Sequence, residues 1–141
     1  MNAPLYDTAI LRLAATIPHL GRLDSPQGSA DKRSTVCGSR VIADVDLDSE
    51  GRVAALGLEV SACALGQAAA NLMASHVLGR TPDELVAARE ALAAWLSGDR
   101  SDAGAWPGLA QLERARPHTA RHAAIRLPFE AAAEAALRAR G

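Results

Sequence analysis

The chain is 141 residues long, enough for one domain with its own core, and residues 1–141 are read as a single domain. Its 15 Lys and Arg against 16 Asp and Glu leave a net charge of −1, with the basic residues scattered, which argues against a phosphate-tracking nucleic-acid surface. The aromatic residues Tyr6, Trp95, Trp106 and Phe129 are too few for base stacking, and the abundant alanine reads as helix propensity more than core volume.

At the N-terminus there is no basic residue before Arg12 and no unbroken apolar stretch, so the segment does not read as a secretory signal and a cytoplasmic protein is expected. Leu5, Ala9, Arg12, Leu13, Thr16 and Ile17 follow helical spacing, with Pro18 and Gly21 as the stop. Gly21 to Arg33, with Ser25, Pro26, Gly28 and Ser29, reads as a loop that gains weak edge-strand character toward Val36. From Arg40 the pattern alternates: Val41, Ala43, Val45 and Leu47 oppose Asp44, Asp46 and Asp48. That predicts a half-buried strand whose acidic face is solvated, in preference to a calcium site.

The turn Asp48-Ser49-Glu50-Gly51 feeds a second strand, Arg52 to Val60, and this hairpin runs directly into Cys63. Val60 to Leu78 carries no charge, but Gln67, Asn71, Ser75 and His76 interrupt a run made mainly of alanine, so no membrane span is read there. Leu65, Ala68, Leu72 and Ser75 instead mark a helix that stops at Gly79. Thr81-Pro82-Asp83-Glu84 supplies an N-cap, a first-turn proline and an acidic first turn for a helix burying Leu85, Ala88, Leu92 and Leu96. Gly98 to Gly108 is a loop holding Trp106-Pro107, Leu109 to Arg114 a brief helical piece, and a last helix runs from about Thr119 to Arg138. Strands first and helices after predict an α+β fold, a small antiparallel sheet of about three strands packed against four to five helices.

The chemistry concentrates on two cysteines. Cys63 stands where a β-like run ends and a small-residue helix begins, near unpaired N–H groups and the positive end of a helix dipole, a setting that favours thiolate. Cys37 lies in Ser34-Thr35-Val36-Cys37-Gly38-Ser39-Arg40, a turn ahead of a strand. Two thiols at two junctions joined through a hairpin point to one shared pocket. A reducing cytoplasm favours a reactive or metal-binding role for them over a disulfide. The plainer alternative is a pair of small buried hydrophobes.

In order and spacing these features resemble the U-type iron–sulfur cluster assembly scaffold family, which includes IscU, SufU and the N-terminal domain of NifU. Tyr6, Pro18 and Gly21 match the family's opening tyrosine and its helix stop; Cys37-Gly38-Ser39 resembles its Cys-Gly-Asp; Ala62-Cys63-Ala64-Leu65-Gly66 resembles its Gly-Cys-Ala-Ile-Ser. Gly79-Arg80 with Glu84 resembles its Gly-Lys followed by an acidic residue, so the likeness spans roughly Tyr6 to Leu137. Two places depart. Ala124 stands where the family has a third cysteine at the start of the last helix, and Ser39 replaces an aspartate, leaving a neutral hydroxyl in place of a charged oxygen ligand. The chaperone-recruiting proline-rich segment is also unrecognisable; the chain there reads Arg116-Pro117-His118-Thr119-Ala120-Arg121.

The resemblance implies a carrier without a turnover reaction of its own. Such a protein accepts sulfur from a cysteine desulfurase, binds iron, and passes a cluster to apo-protein acceptors; a homodimer is compatible with it. Cys37 and Cys63 are the implied thiolate ligands for a transient iron–sulfur cluster or for zinc. His122, two residues before the vacant cysteine place, is the best further metal ligand, with His118 behind it. Arg121 is a cation available to a thiolate or persulfide, while His19 and His76 read as solvated. A rival reading is a regulatory docking module for a desulfurase that holds no cluster, and a thiol enzyme has less support.

Overall fold

The computed structural model describes residues 6–36 and 38–141; Leu5 and Cys37 lie outside the described residues. The chain runs α1 (Thr8–Ala15), β1 (Gly28–Arg33), β2 (Arg40–Leu47), β3 (Val53–Ser61), α2 (Ala64–His76) and α3 (Pro82–Ser97). Two 3₁₀ segments, Leu109–Ala115 and Thr119–Arg121, then lead into α4 (His122–Arg140). This is the α+β architecture the pattern predicts: an antiparallel sheet in the order β1-β2-β3, with helices packed against it.

Helix α1 starts where Asp7 accepts the Ile10 N–H at 2.9 Å. Ile10 is buried, with Tyr6, Leu13 and Ile17 half-buried against the core, whereas Ala9 and Arg12 are exposed. The inward face therefore lies about one position away from the expected stripe. Asn71 of α2 closes the helix end by donating to the Leu13 and Thr16 carbonyls at 2.8 and 3.0 Å, groups that a helix terminus leaves without partners.

Strand β2 pairs on both sides, with Val41, Ala43 and Val45 fully buried. The solvated acidic face expected opposite them is not what forms, because Asp44 is fully buried. Asp44 lies beside Gly57 across the β2–β3 ladder, and a Cβ on Gly57 would sit 2.6 Å from the Gly21 carbonyl oxygen and 2.9 Å from the Leu23 nitrogen. The missing side chain lets the segment after α1 lie over the sheet. His19 and Gly21 pair with Leu58, and Arg22 and Leu23 come down on the Asp44 carboxylate. Asp46 is half-buried and Asp48 exposed, so only the end of this face is open.

Helix α4 lies between the sheet on one side and α2 and α3 on the other. Ala131, Ala132, Ala133, Ala135 and Ala136 are all fully buried there. Alanine thus sets core spacing as well as helix propensity: a Cβ on Gly28 of β1 would fall 2.0 Å from the Ala135 carbonyl oxygen. Larger volume comes from Phe129 and Trp106, whose rings meet edge to face at 5.4 Å. Helix α3 has the expected start, with Glu84 N–H donating to Thr81 Oγ1 and Thr81 N–H to Glu84 Oε1. It buries Leu85, Ala88, Leu92 and Leu96 as predicted, and Trp95 besides.

Candidate functional site

Strand β3 ends at Ser61, and Cys63 is the N-cap of α2 in an extended conformation. Its carbonyl accepts the Gln67 N–H at 2.9 Å, while its side chain makes no capping hydrogen bond. The thiol is free and half-buried. It is therefore held in place by the main chain, next to the first N–H groups of α2 that have no partner inside the helix.

The β1–β2 connection approaches the same end of the sheet. Arg40, the first residue of β2, pairs with Ser61, the last of β3. The loop ahead of Arg40 is closed by Ser34 N–H donating to the Ser39 carbonyl at 2.8 Å and Gly38 N–H to the Ser34 carbonyl at 3.0 Å. Gly38 has φ +71, which explains glycine there. This loop carries position 37.

The third contributor is the first turn of α4. Pro128 lies inside this helix and has no N–H, so the Ala124 carbonyl loses its usual intrahelical donor. That carbonyl and the Ala124 side chain lie against Gly66, one turn beyond Cys63: a Cβ on Gly66 would sit 3.2 Å from the Ala124 oxygen and 3.3 Å from its Cβ. Three segments that are distant in sequence thus share one end of the molecule.

No family model and no curated protein match the chain. Among solved structures, the N-terminal part of a nitrogen-fixing NifU-like protein from Brucella abortus has a TM-score of 0.86 at 35% identity, over 96% of this chain and 94% of that one. The chain belongs to the NifU-like family of U-type scaffolds. A putative iron–sulfur cluster assembly scaffold protein for the SUF system from thermophilic Fervidobacterium islandicum AW-1 has a TM-score of 0.82 at 17% identity, over 90% and 93% of the two chains. A hypothetical protein follows at 0.73 and 19%, over 94% and 97%. These last two likenesses bear on the fold alone.

In this NifU-like chain the two departures from the family pattern are both interior. Ser39 and Ala124 are buried, so neither place is open to a donor from solvent. His122 is buried as well, but it is turned to a different neighbourhood. Its Nε2 lies 3.2 Å from the Ala115 carbonyl oxygen and 2.8 Å from that of Arg116, which requires the N–H on that nitrogen, and the ring lines a groove with Leu96, Gly98, Arg116 and Thr119. The expectation of His122 as a metal ligand meets this geometry: Nε2 holds the end of the 3₁₀ segment, which leaves Nδ1 as the nitrogen for a metal, on a ring placed in that groove. Two residues on a helix are about 200° apart, which separates the His122 and Ala124 faces. Arg121 and His118 are exposed, as is His19, whereas His76 is half-buried. Among the described residues no group of three or more His, Cys, Asp or Glu gathers as a metal site.

The Gly79-Arg80 and Glu84 spacing has a structural role. Arg80 donates from Nε to the His76 carbonyl, pairs with Glu84 at 3.3 Å, and lies 5.0 Å above the Trp106 ring. Trp106 Nε1 in turn donates to the Leu72 carbonyl. This clamp stands at the C-terminal half of α2, away from Cys63 at its start.

Sequence reading missed the Asp44 cluster. Asp44 accepts from Arg22 Nε at 2.7 Å and Nη2 at 3.0 Å, from the Leu23 N–H at 3.0 Å, and from Ser29 Oγ. Burial pushes its carboxyl up, but the hydrogen bonds from Arg22, Ser29 and Leu23 and the Arg22 charge outweigh that and hold it below the usual carboxylate range. No local signal in the sequence marks a pair so far apart in the chain.

Proposed function

We propose that this chain is an iron–sulfur cluster assembly scaffold whose cargo is bound by the thiolates of Cys37 and Cys63. The observation carrying this reading is the convergence of the Cys63 N-cap, the loop holding position 37 and the first turn of α4 on a fold shared at 35% identity with a NifU-like N-terminal domain. In this reading sulfur arrives as the outer sulfur of a desulfurase persulfide. A scaffold thiolate attacks that sulfur, the S–S bond to the desulfurase breaks, and the desulfurase leaves as thiolate. Iron joins, an external dithiol or ferredoxin-type donor supplies the two electrons that reduce the persulfide's outer sulfur to sulfide and free the scaffold thiolate, and the cluster is passed to an apo-protein.

The chain's own residues divide the work. The N-cap geometry keeps Cys63 at the surface of a rigid junction, and exposed Arg121 is the cation available to an incoming persulfide. His122 contributes no ligand in this reading, because its ring lines the groove with Leu96, Gly98, Arg116 and Thr119, on a helix face turned about 200° from Ala124. Two thiolates fall short of the four that iron–sulfur clusters ordinarily take, so binding is weaker than in a three-cysteine relative. Zinc is the alternative cargo for the same thiolates.

The test is anaerobic reconstitution with iron and sulfide, or with a cysteine desulfurase and free cysteine, followed by desalting and assay. Wild type is expected to retain iron and sulfide, and Cys63→Ser to retain none while staying folded, since serine is a favourable N-cap. Equal retention by both removes Cys63 from the site. The buried Ser39 and Ala124 favour a second reading, a docking module that binds a desulfurase without cargo. It predicts desulfurase binding with no retained metal in either protein.

A further inference from the structure

We infer that the groove between the β1–β2 loop and the first turns of α4 seats a small thiol bearing carboxylates, which completes the ligand set of the cargo. This rests on the scaffold reading above. The groove is lined by Arg33, Ser34, Thr35 and Val36 on one wall and Ala123, Arg126, Leu127 and Glu130 on the other. It adjoins the vacant third-cysteine place, because Ala123 and Ala124 are consecutive on the same helical turn and Ala124 meets the first turn of α2 beyond Cys63.

Two arginines, Arg33 and Arg126, face one glutamate, Glu130, so the balance of charge in the groove is positive. Arg33 is exposed at the end of β1, and its guanidinium makes no hydrogen bond or ion pair among the described residues, although its charge is felt by Asp31. The nearest acid on its strand, Asp31, is taken by Arg40 through two hydrogen bonds of 2.9 and 2.6 Å. Among the described residues Arg126 forms one ion pair, with Glu130 at a loose 3.8 Å, so its planar fork keeps donors for an incoming carboxylate. Val36, 75% exposed, and Ala123 offer apolar surface for the stem between the charged end and the sulfur.

The chemistry needs no oxidant. The thiol gives its proton to solvent and its sulfur lone pair to iron, and the carboxylate stays with the arginines. This answers the ligand count directly: two protein thiolates are too few, His122 is committed elsewhere, and the vacant place is covered by packed main chain and alanine. A donor that approaches along an open cationic groove avoids that covered position.

Two measurements on the full chain test the inference. The first uses metal-free protein and S-methylglutathione, which keeps the carboxylates and lacks a thiol. Calorimetric titration is expected to show saturable binding that weakens about tenfold in Arg126→Ala and in Arg33→Ala, the loss of one charge-assisted hydrogen bond, but not in Arg12→Ala on α1. Absent binding, or equal binding by all variants, overturns the groove. The second compares cluster retention after reconstitution with glutathione or with neutral 2-mercaptoethanol at equal concentration. Several-fold greater retention with glutathione supports the inference, and equal retention overturns it. If wild type holds a stable cluster with no added thiol and glutathione adds nothing, the scaffold reading stands and this inference falls. If S-methylglutathione binds but no thiol ever secures a cluster, the cluster-completing role falls together with the scaffold reading.

Discussion

His122 and Ala124 are two residues apart, and their surroundings assign them different work. Removing the imidazole leaves the Ala115 and Arg116 carbonyls without that donor, so His122→Ala is expected to lose roughly 1–3 kcal/mol of stability in urea unfolding. Its iron content per folded molecule should stay at the wild-type level. A folded variant with unchanged stability and no iron would instead make His122 a ligand. Asp44 is the other residue whose environment decides its role. Its folded pKa is depressed, so the stabilisation is present above the unfolded value of about 3.9 and is lost as pH falls through the folded one. Asp44→Asn is therefore expected to cost roughly 2 kcal/mol at pH 7 and to show a shallower loss of stability below about pH 4. Some acid sensitivity remains, because Asp31 beside Arg40 and Glu84 capping Thr81 are also held low. An unchanged acid slope in Asp44→Asn would mean that the carboxylate titrates normally.

At the level of elements, the contact that bears on the site is between the first turns of α2 and α4. Gly66 faces Ala62 and Ala124, and an added Cβ would fall 2.7 Å from the Ala62 Cβ. Gly66→Ala has to displace Ala62 and the turn around Cys63 and to ease Ala124 by a few tenths of an ångström, with an expected loss of about 1–3 kcal/mol and reduced iron retention, because the displaced turn carries Cys63. Chemical denaturation and the reconstitution assay read the two effects separately; full stability with full retention would show that the contact yields freely. The same contact marks how far sequence carries. The hairpin, the start of α3 and the junction at Cys63 are legible because alternation, capping chemistry and turn residues act over a few positions. The inward face of α1 is less so, since Asp7 and the tertiary partner Asn71 decide where the helix begins and ends. The burial of Asp44 is not legible at all: it needs Arg22, 22 residues away, and the absent side chain of Gly57. The core role of alanine in α4 likewise depends on how closely β1 approaches through Gly28. At the site, the two cysteines can be read from their junctions and the place of Ala124 only through the family resemblance, whereas the direction in which His122 faces depends on the 3₁₀ segment before it.

For the molecule as a whole, the sheet end acts as a frame that brings three segments to one place, and the frame is intact although Ala124 stands where the family pattern has a third cysteine. Ala124 is 1% exposed and in contact range of the α2 start, on a helix whose position is fixed by β1, β2, α2 and α3 together. A cysteine there adds one sulfur to a small side chain without altering the main chain. Ala124→Cys should therefore increase iron and sulfide retention after desalting, and the increase should persist without glutathione, because the third thiolate comes from the protein itself. The added atom enters a packed contact, so a stability loss of about 1 kcal/mol is expected alongside the gain. The double variant Ala124→Cys, Cys63→Ser separates a completed site from a stray thiol. If the new cysteine joins a shared centre, removing Cys63 abolishes the gain; if the double variant retains as much iron as Ala124→Cys alone, the sulfur at position 124 binds metal independently and the convergence of the three segments is not what assembles the site.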